Sequence, residues 1–276
     1  YSDDHRVLVK HELPDVSRMI ADGKEFPCFE VAGPRRKIFF EPSQTNCAIV
    51  TCGGLCPGFN DVIRAIVMQA YYRYGVRRIY GIPYGFEGLI PEYGHPIINL
   101  TPDAVGSIHE FGGTWLGTSR GPQDILRMVD RLQELDVNIL FVIGGDGSQR
   151  GALAIEKEAR RRGAKLAVVG VPKTIDNDMI YMDKSFGYET AAAAAVQAVH
   201  AAHTEARSAR GGIGLVKLMG RHSGFIACAA AIASGEVNAV LIPEVPFALE
   251  GDHGFLEVMR QRVVSRGHAV VIVAEG

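Results

Sequence analysis

From residue 47 onward, short runs dense in Val and Ile alternate with longer stretches whose apolar residues recur every three or four positions. The short runs suit strands buried on both faces, and the longer stretches suit amphipathic helices. The pattern predicts strands at 47–51, 78–82, 138–143, 166–171, 213–218, 239–242 and 269–273, and helices at 60–74, 102–111, 124–135, 149–162, 189–207, 224–233 and 254–266. Strand and helix in alternation predict an α/β chain with mainly parallel, doubly wound (Rossmann-like) sheets covered by helices on both faces. The alanine-rich stretch 189–203 is a strong helix former whose small side chains allow close packing, and it predicts the boundary between a lobe at 45–187 and a second at 188–276. Residues 1–44 show no sustained period and carry Pro14, Pro27, Pro34 and Pro42, which predicts an extended N-terminal arm lying on the body.

Composition narrows the function classes. The 276 residues are 47% hydrophobic and 22% charged, enough apolar content for a packed core rather than disorder. Lys and Arg number 29 against 31 Asp and Glu, so a net charge of −2 supplies no global field for nucleic acid or an anionic membrane, and any anion must be held locally. No apolar run approaches the roughly 20 residues of a membrane span, and the start YSDDHRVLVKHE has no signal-peptide character, so a cytoplasmic protein is expected. Five cysteines fit a reducing compartment better than a disulfide framework.

In open α/β sheets, ligands gather beyond the carboxyl ends of the strands, and the loops there carry the informative motifs. TCGGLCPGFN (51–60) matches neither the dinucleotide fingerprint nor the P-loop, yet its glycines let backbone N–H groups approach a phosphate before a helix; a tight turn is the plain alternative. IGGDGSQRG (143–151) sets Asp146 between glycines where a carboxylate can serve Mg²⁺. VPKTIDNDM (171–179) groups Asp176 and Asp178 with Lys173 and Thr174, a set able to place a general base near a substrate hydroxyl; Asx-turn chemistry is the competing explanation. KLMGRHSGF (217–225) offers Arg221 beside Gly220, and GTWLGTSRGPQD (113–124) offers Arg120 ahead of a helix opening with Gly121 and Pro122. Cys47, Cys52 and Cys56 lack a fourth partner of zinc type. His200 and His203, three apart, suit a helix surface or a hydrogen-bonded pair with no third ligand.

GGDGS, PKTIDND and MGR, in this order and each after a strand, together with TCGGLCPGFNDVIRA, resemble the 6-phosphofructokinases over residues 35–276. The leading GPRRKIFFEP resembles the long-chain ATP-dependent branch of plants and kinetoplastids. The resemblance implies a phosphofructokinase-like fold with an ATP-binding lobe at 45–187. It implies a fructose 6-phosphate-binding lobe at 188–276, incomplete because the family continues past the seventh strand. It implies that Gly53, Arg120, Gly121, Gly145, Asp146, Gly147 and Ser148 hold the nucleotide, with Asp146 serving Mg²⁺ and Gly151 on the adenine side. Thr174, Ile175, Asp176, Asp178, Met219, Gly220, Arg221 and Glu275 would meet the sugar phosphate, and Asp176 would be the base, assisted by Thr174 and Arg221. The activity implied is a glycolytic kinase that makes fructose 1,6-bisphosphate and ADP. The resemblance further implies a cytoplasmic, allosteric homotetramer.

Lys173 is common to the pyrophosphate-dependent and long-chain ATP-dependent groups, so Gly147 decides the donor for ATP. The rivals are a pyrophosphate-dependent enzyme and a non-catalytic subunit of the same fold. Glu244 matches a family effector-site position, with a solvated acid as its plain reading. Gly212 stands where many bacterial members have an arginine that reaches a neighbouring subunit's sugar phosphate.

Overall fold

The computed structural model describes residues 2, 4–23, 25–35 and 37–276; Tyr1, Asp3, Lys24 and Arg36, the last within GPRRKIFFEP, lie outside the described residues. The chain divides into two compact units, Tyr1–Gln44 and Thr45–Gly276. The first unit is not a plain extended arm. It holds β1 (Arg6–Leu8), α1 (Leu13–Ala21) and β2 (Cys28–Glu30), with β1 and β2 antiparallel. Pro14 occupies the first turn of α1, where a missing N–H costs nothing, so it opens the helix rather than breaking it. Leu13, Val16 and Ile20 keep helical spacing over too few residues to stand out as a period.

The second unit contains a five-stranded and a three-stranded sheet. The first is built from β3 (Asn46–Thr51), α2 (Phe59–Met68, continued by a π-turn at Gln69–Tyr74), β4 (Arg78–Ile82), β5 (Ile98–Asn99), α3 (Ile125–Glu134), β6 (Ile139–Gly144), α4 (Asp146–Arg161) and β7 (Ala167–Pro172). Its order is β5-β4-β3-β6-β7, parallel except for the edge strand β5. Alternation along β3 explains its burial on both faces: Cys47 and Ile49 pack with Phe59, Ile63 and Val67 of α2, while Ala48 and Val50 pack with Met128 and Leu132 of α3 and Ile155 of α4. The chain leaves β3 to one side as β4 and returns on the other as β6. The loops after β3 and β6 therefore open against each other at the switch point, where a ligand crevice forms.

Two local expectations fail here. Residues 102–111 form turns with a single 3₁₀ turn at Ile108–Glu110, not a helix. Val105 and Ile108 are buried at a spacing a helix would also give, but Pro102, Asp103 and Gly106 favour turns. The helix expected from 149 starts at Asp146, so GGDGS runs from a strand end directly into the first helical turn.

The three-stranded sheet follows α5 (Tyr188–Ser208) and comprises β8 (Ile213–Leu218), α6 (Phe225–Ser234), β9 (Ala239–Leu241), α7 (Phe255–Arg266) and β10 (Ala269–Ala274), all parallel in the order β8-β10-β9. Val270, Ile272 and Ala274 face α5 and α6, whereas Ala269 and Val271 face Met259 of α7. Gly212 is explained by packing: a Cβ there would lie 2.3 Å from the Ala206 carbonyl oxygen, so no side chain fits. No described helix is long and apolar enough to cross a membrane.

Candidate active site

A cavity of about 640 Å³ opens between the loops that follow β3 and β6. Arg120, Arg150 and Lys173 line it with cationic groups, and Asp146 is its one carboxylate among the described residues. Its lining also includes the apolar side chains of Phe86, Ile125, Met128 and Ala154.

Helix α4 supplies much of the lining. Gly145 is its N-cap in extended conformation, and Asp146, Gly147 and Ser148 form its first turn, whose N–H groups have no intrahelical partner and make a natural anion cradle. Gln149 fixes that turn to the sheet, its Nε2 donating to the carbonyls of Gly144 at 2.9 Å and Val171 at 3.2 Å. Gly170 leaves the room: a Cβ there would come within 2.0 Å of the Gln149 amide oxygen. Lys173 is buried and donates through Nζ to the Gly54 carbonyl at 2.9 Å, tying the β7 end to the first glycine loop. Burial lowers its pKa from the ordinary lysine value, and the charge of Arg120 adds to that.

All eight residues expected around a nucleotide (Gly53, Arg120, Gly121, Gly145, Asp146, Gly147, Ser148 and Gly151) line this cavity. Their glycines differ in kind. A Cβ on Gly147 would meet nothing within 4 Å, and its φ is not positive, so neither the backbone nor a neighbour demands glycine there. Gly151, by contrast, is set by packing, since a Cβ would lie 2.6 Å from Cε2 of Phe86. Gly151→Ala should therefore force Phe86 out of place and lower stability by about 1–3 kcal/mol in chemical denaturation; an unchanged midpoint would rule out that overpacking.

The second group lies outside the cavity, on the loops after β7, β8 and β10. Thr174 Oγ1 donates to Asp178 Oδ1 at 2.5 Å, and the Ser223 hydroxyl donates to the Asp176 carbonyl at 2.9 Å. Asp176 Oδ1 is buried with no hydrogen-bond partner among the described residues. Burial, then the charge of Asp178, raise the Asp176 pKa above the ordinary aspartate value; Glu275 adds to this, while the Arg221 backbone N–H and Lys173 oppose it. Gly276 N–H donates to the Gly220 carbonyl at 3.2 Å, which joins the chain after β10 to the loop holding Gly220 and Arg221. Met219, Arg221 and Glu275 are exposed, whereas the Ile175 side chain packs between the cores of both sheets, leaving its backbone as the part able to meet a ligand.

Several other candidates resolve into structure. Cys47, Cys52 and Cys56 are buried thiols, with burial pushing Cys52 up to about 12 and Cys47 and Cys56 to about 11, which leaves them unreactive. His200 and His203 both place Nδ1 against Glu236 Oε2, at 2.9 and 2.8 Å. Glu244 does more than face solvent: Oε1 accepts the Gly224 N–H at 2.8 Å at the start of α6. Phe86 escaped the sequence reading, because an aromatic within a short 3₁₀ turn (Gly85–Leu89) carries no motif of its own.

A family model described as "Phosphofructokinase" matches residues 46–276. An ATP-dependent 6-phosphofructokinase of Borreliella burgdorferi is 52% identical over 261 residues, covering 92% of this chain and 58% of that protein. ATP-dependent 6-phosphofructokinase 7 of Arabidopsis thaliana is 51% identical over 264 residues, covering 96% and 54%. The chain thus spans little more than half the length of the curated relatives it matches. A crystal structure of the pyrophosphate-dependent phosphofructokinase of Marinobacter aquaeolei superposes with a TM-score of 0.72 at 26% identity, covering 84% of this chain and 60% of that one. With the α/β architecture, the glycine loop entering α4 and the match over 46–276 all in agreement, the chain belongs to the phosphofructokinase family.

Proposed function

We propose that the protein transfers the terminal phosphoryl group of ATP to the C1 hydroxyl of fructose 6-phosphate, a glycolytic reaction that yields fructose 1,6-bisphosphate and ADP. The observation that carries this reading is Asp176: a carboxylate with one buried, unpartnered oxygen and a raised pKa, next in the loop but two to Lys173, which lines an anion cavity. In this reading residues 45–187 hold the nucleotide and 188–276 contribute to the sugar-phosphate site. The bare Asp176 oxygen accepts the hydroxyl proton as the hydroxyl oxygen attacks phosphorus in line. Arg120, Lys173 and the N–H groups of the first turn of α4 balance charge on the transferring group, and Thr174 and Arg221 help seat the acceptor.

Mg²⁺ fits as a shared ligand rather than a caged one. Among the described residues no three His, Cys, Asp or Glu side chains are grouped to hold a metal. Asp146 alone offers a carboxylate to a cavity otherwise lined for phosphate, and Mg²⁺ characteristically takes one or two carboxylates plus phosphate oxygens and water. When bound it would supply charge neutralisation on the donor phosphates.

Pyrophosphate is the competing donor, but it has no part that needs the apolar side chains of Phe86, Ile125, Met128 and Ala154, which suit an adenosine moiety. Turnover with fructose 6-phosphate, comparing ATP with pyrophosphate at equal concentration and with Mg²⁺ present, tests this choice. ATP should be used many times faster, and faster pyrophosphate turnover would reverse the assignment. Binding of both substrates without product would favour a non-catalytic subunit. A cytoplasmic homotetramer under allosteric control completes the reading, supported by the family alone.

A further inference from the structure

Beyond its internal Thr174–Asp178 bond, the loop that carries Asp176 is held by residues outside it. Asn177, between the two aspartates, adopts the left-handed conformation at φ 55°, and its side chain is buried and used at both ends. Its Oδ1 accepts the Ser185 N–H at 2.7 Å, and its Nδ2 donates to the Asp183 carbonyl at 3.0 Å. Ser185, also buried, returns the connection, its hydroxyl accepting the Thr174 N–H at 2.9 Å. The segment that provides Ser185 is itself anchored to the first glycine loop. Cys56 Sγ donates to the Phe186 carbonyl at 3.1 Å, Phe186 meets Phe59 edge to face with centroids 6.0 Å apart, and a Cβ on Gly187 would strike the Pro57 carbonyl oxygen at 2.4 Å. The Thr174 and Asn177 backbone positions flanking Asp176 are therefore referenced to a strap immediately before α5, which is pinned against the loop at the cavity mouth.

We propose that Ser185, acting with Asn177, is a positioning residue of the phosphoryl-transfer reaction: it fixes the 174–178 loop so that the Asp176 carboxylate stays shielded and aimed at the acceptor hydroxyl. The inference rests on the reading of Asp176 as the base. Ser185 does not line the cavity and is itself assigned no contact with substrate; its effect passes through the Thr174 amide and Asn177. Without the hydroxyl acceptor the Thr174 N–H is left unpaired, the loop relaxes, and water reaches the buried Asp176 oxygen. A displacement of the order of 1 Å in a reacting group can cost about a hundredfold in rate. The acid limb of kcat follows ionisation of the base: kcat falls as pH drops through the Asp176 pKa, which burial raises. Hydration of that carboxylate lowers the pKa and moves the limb to lower pH.

The test is steady-state kinetics across pH on the protein as it occurs in the cell, with Ser185→Ala, Ser185→Thr and Asp176→Asn. Ser185→Ala should lower kcat by about ten- to a hundredfold. It should leave KM for ATP within about twofold and move the acid limb to lower pH, and Ser185→Thr should restore both kcat and the limb. Ser185→Ala with parent kcat and an unmoved limb would overturn the proposal, as would kcat and ATP affinity falling in step. Should Ser185→Ala yield no folded protein, Ser185→Cys keeps the volume with a poor acceptor and must show the same direction; parent-like kcat there is equally fatal. A collapse of Asp176→Asn beside an unaffected Ser185→Ala defeats positioning alone. Near-parent kcat in Asp176→Asn defeats the base assignment, and this proposal with it.

Discussion

Asp176→Asn should lower kcat by about 10²- to 10⁴-fold while changing the affinity for fructose 6-phosphate little, because a positioned general base contributes about that much to the chemical step alone. The amide keeps the shape of the carboxylate, so the Ser223 bond to the Asp176 carbonyl and the neighbouring Thr174–Asp178 contact persist. What disappears is the proton acceptor, and with it the acid limb of the rate profile. Fold stability should not suffer. Burial raises the pKa of this group, so ionising it costs the folded state more than the unfolded one, and a neutral isostere removes that penalty. A variant that kept its turnover would shift the base role to Asp178, which is exposed and hydrogen-bonded to Thr174.

Gly147→Asp should separate binding from folding more sharply than any other change in the cavity. The new side chain enters open space at ordinary backbone angles, in the first turn of α4, where replacing glycine and adding negative charge both favour the helix. The melting temperature should hold or rise slightly. ATP affinity should fall, because a carboxylate within about 4 Å of a donor phosphate at an effective dielectric constant near 20 repels it by up to about 4 kcal/mol. Allowing for screening, about 2–4 kcal/mol, or roughly thirty- to a thousandfold in Kd, is expected by calorimetry. Unchanged ATP affinity would show that the donor does not pass over Gly147.

The strands of the second unit were legible because buried parallel strands are written as continuous apolar runs: NCAIVT is buried at every position, and no helix of that length is stable alone. The two-residue β5 left no mark, since a period cannot be seen in Ile98 and Asn99. The start of α4 was placed three residues late because two glycines and an aspartate read as loop, yet Asp146 and Gly147 sit in the one helical turn where glycine and acid are both tolerated. In the candidate site, residues that meet a ligand announced themselves as glycine loops with charges. Residues that hold those loops, such as Gln149, Asn177 and Ser185, make bonds to partners up to 22 positions away and carry no local signature.

The place of β3 at the centre of its sheet has a consequence for how the protein comes into being. Its pairing with β4 closes locally, but its other edge is met only by β6, where the Asn46 N–H donates to Asn138 Oδ1 across 92 residues at 2.8 Å. At about 5–20 residues per second, a ribosome needs roughly 5–18 s to deliver the second partner after the first strand. Through that interval a strand destined for complete burial on both faces offers bare amides and apolar side chains to whatever lies near, the situation in which nascent chains cross-pair. The arrangement that brings the two glycine loops together thus makes the cavity a late product of synthesis. Yield from rapid expression should depend on chaperone supply and temperature more steeply than the stability of the finished fold would suggest.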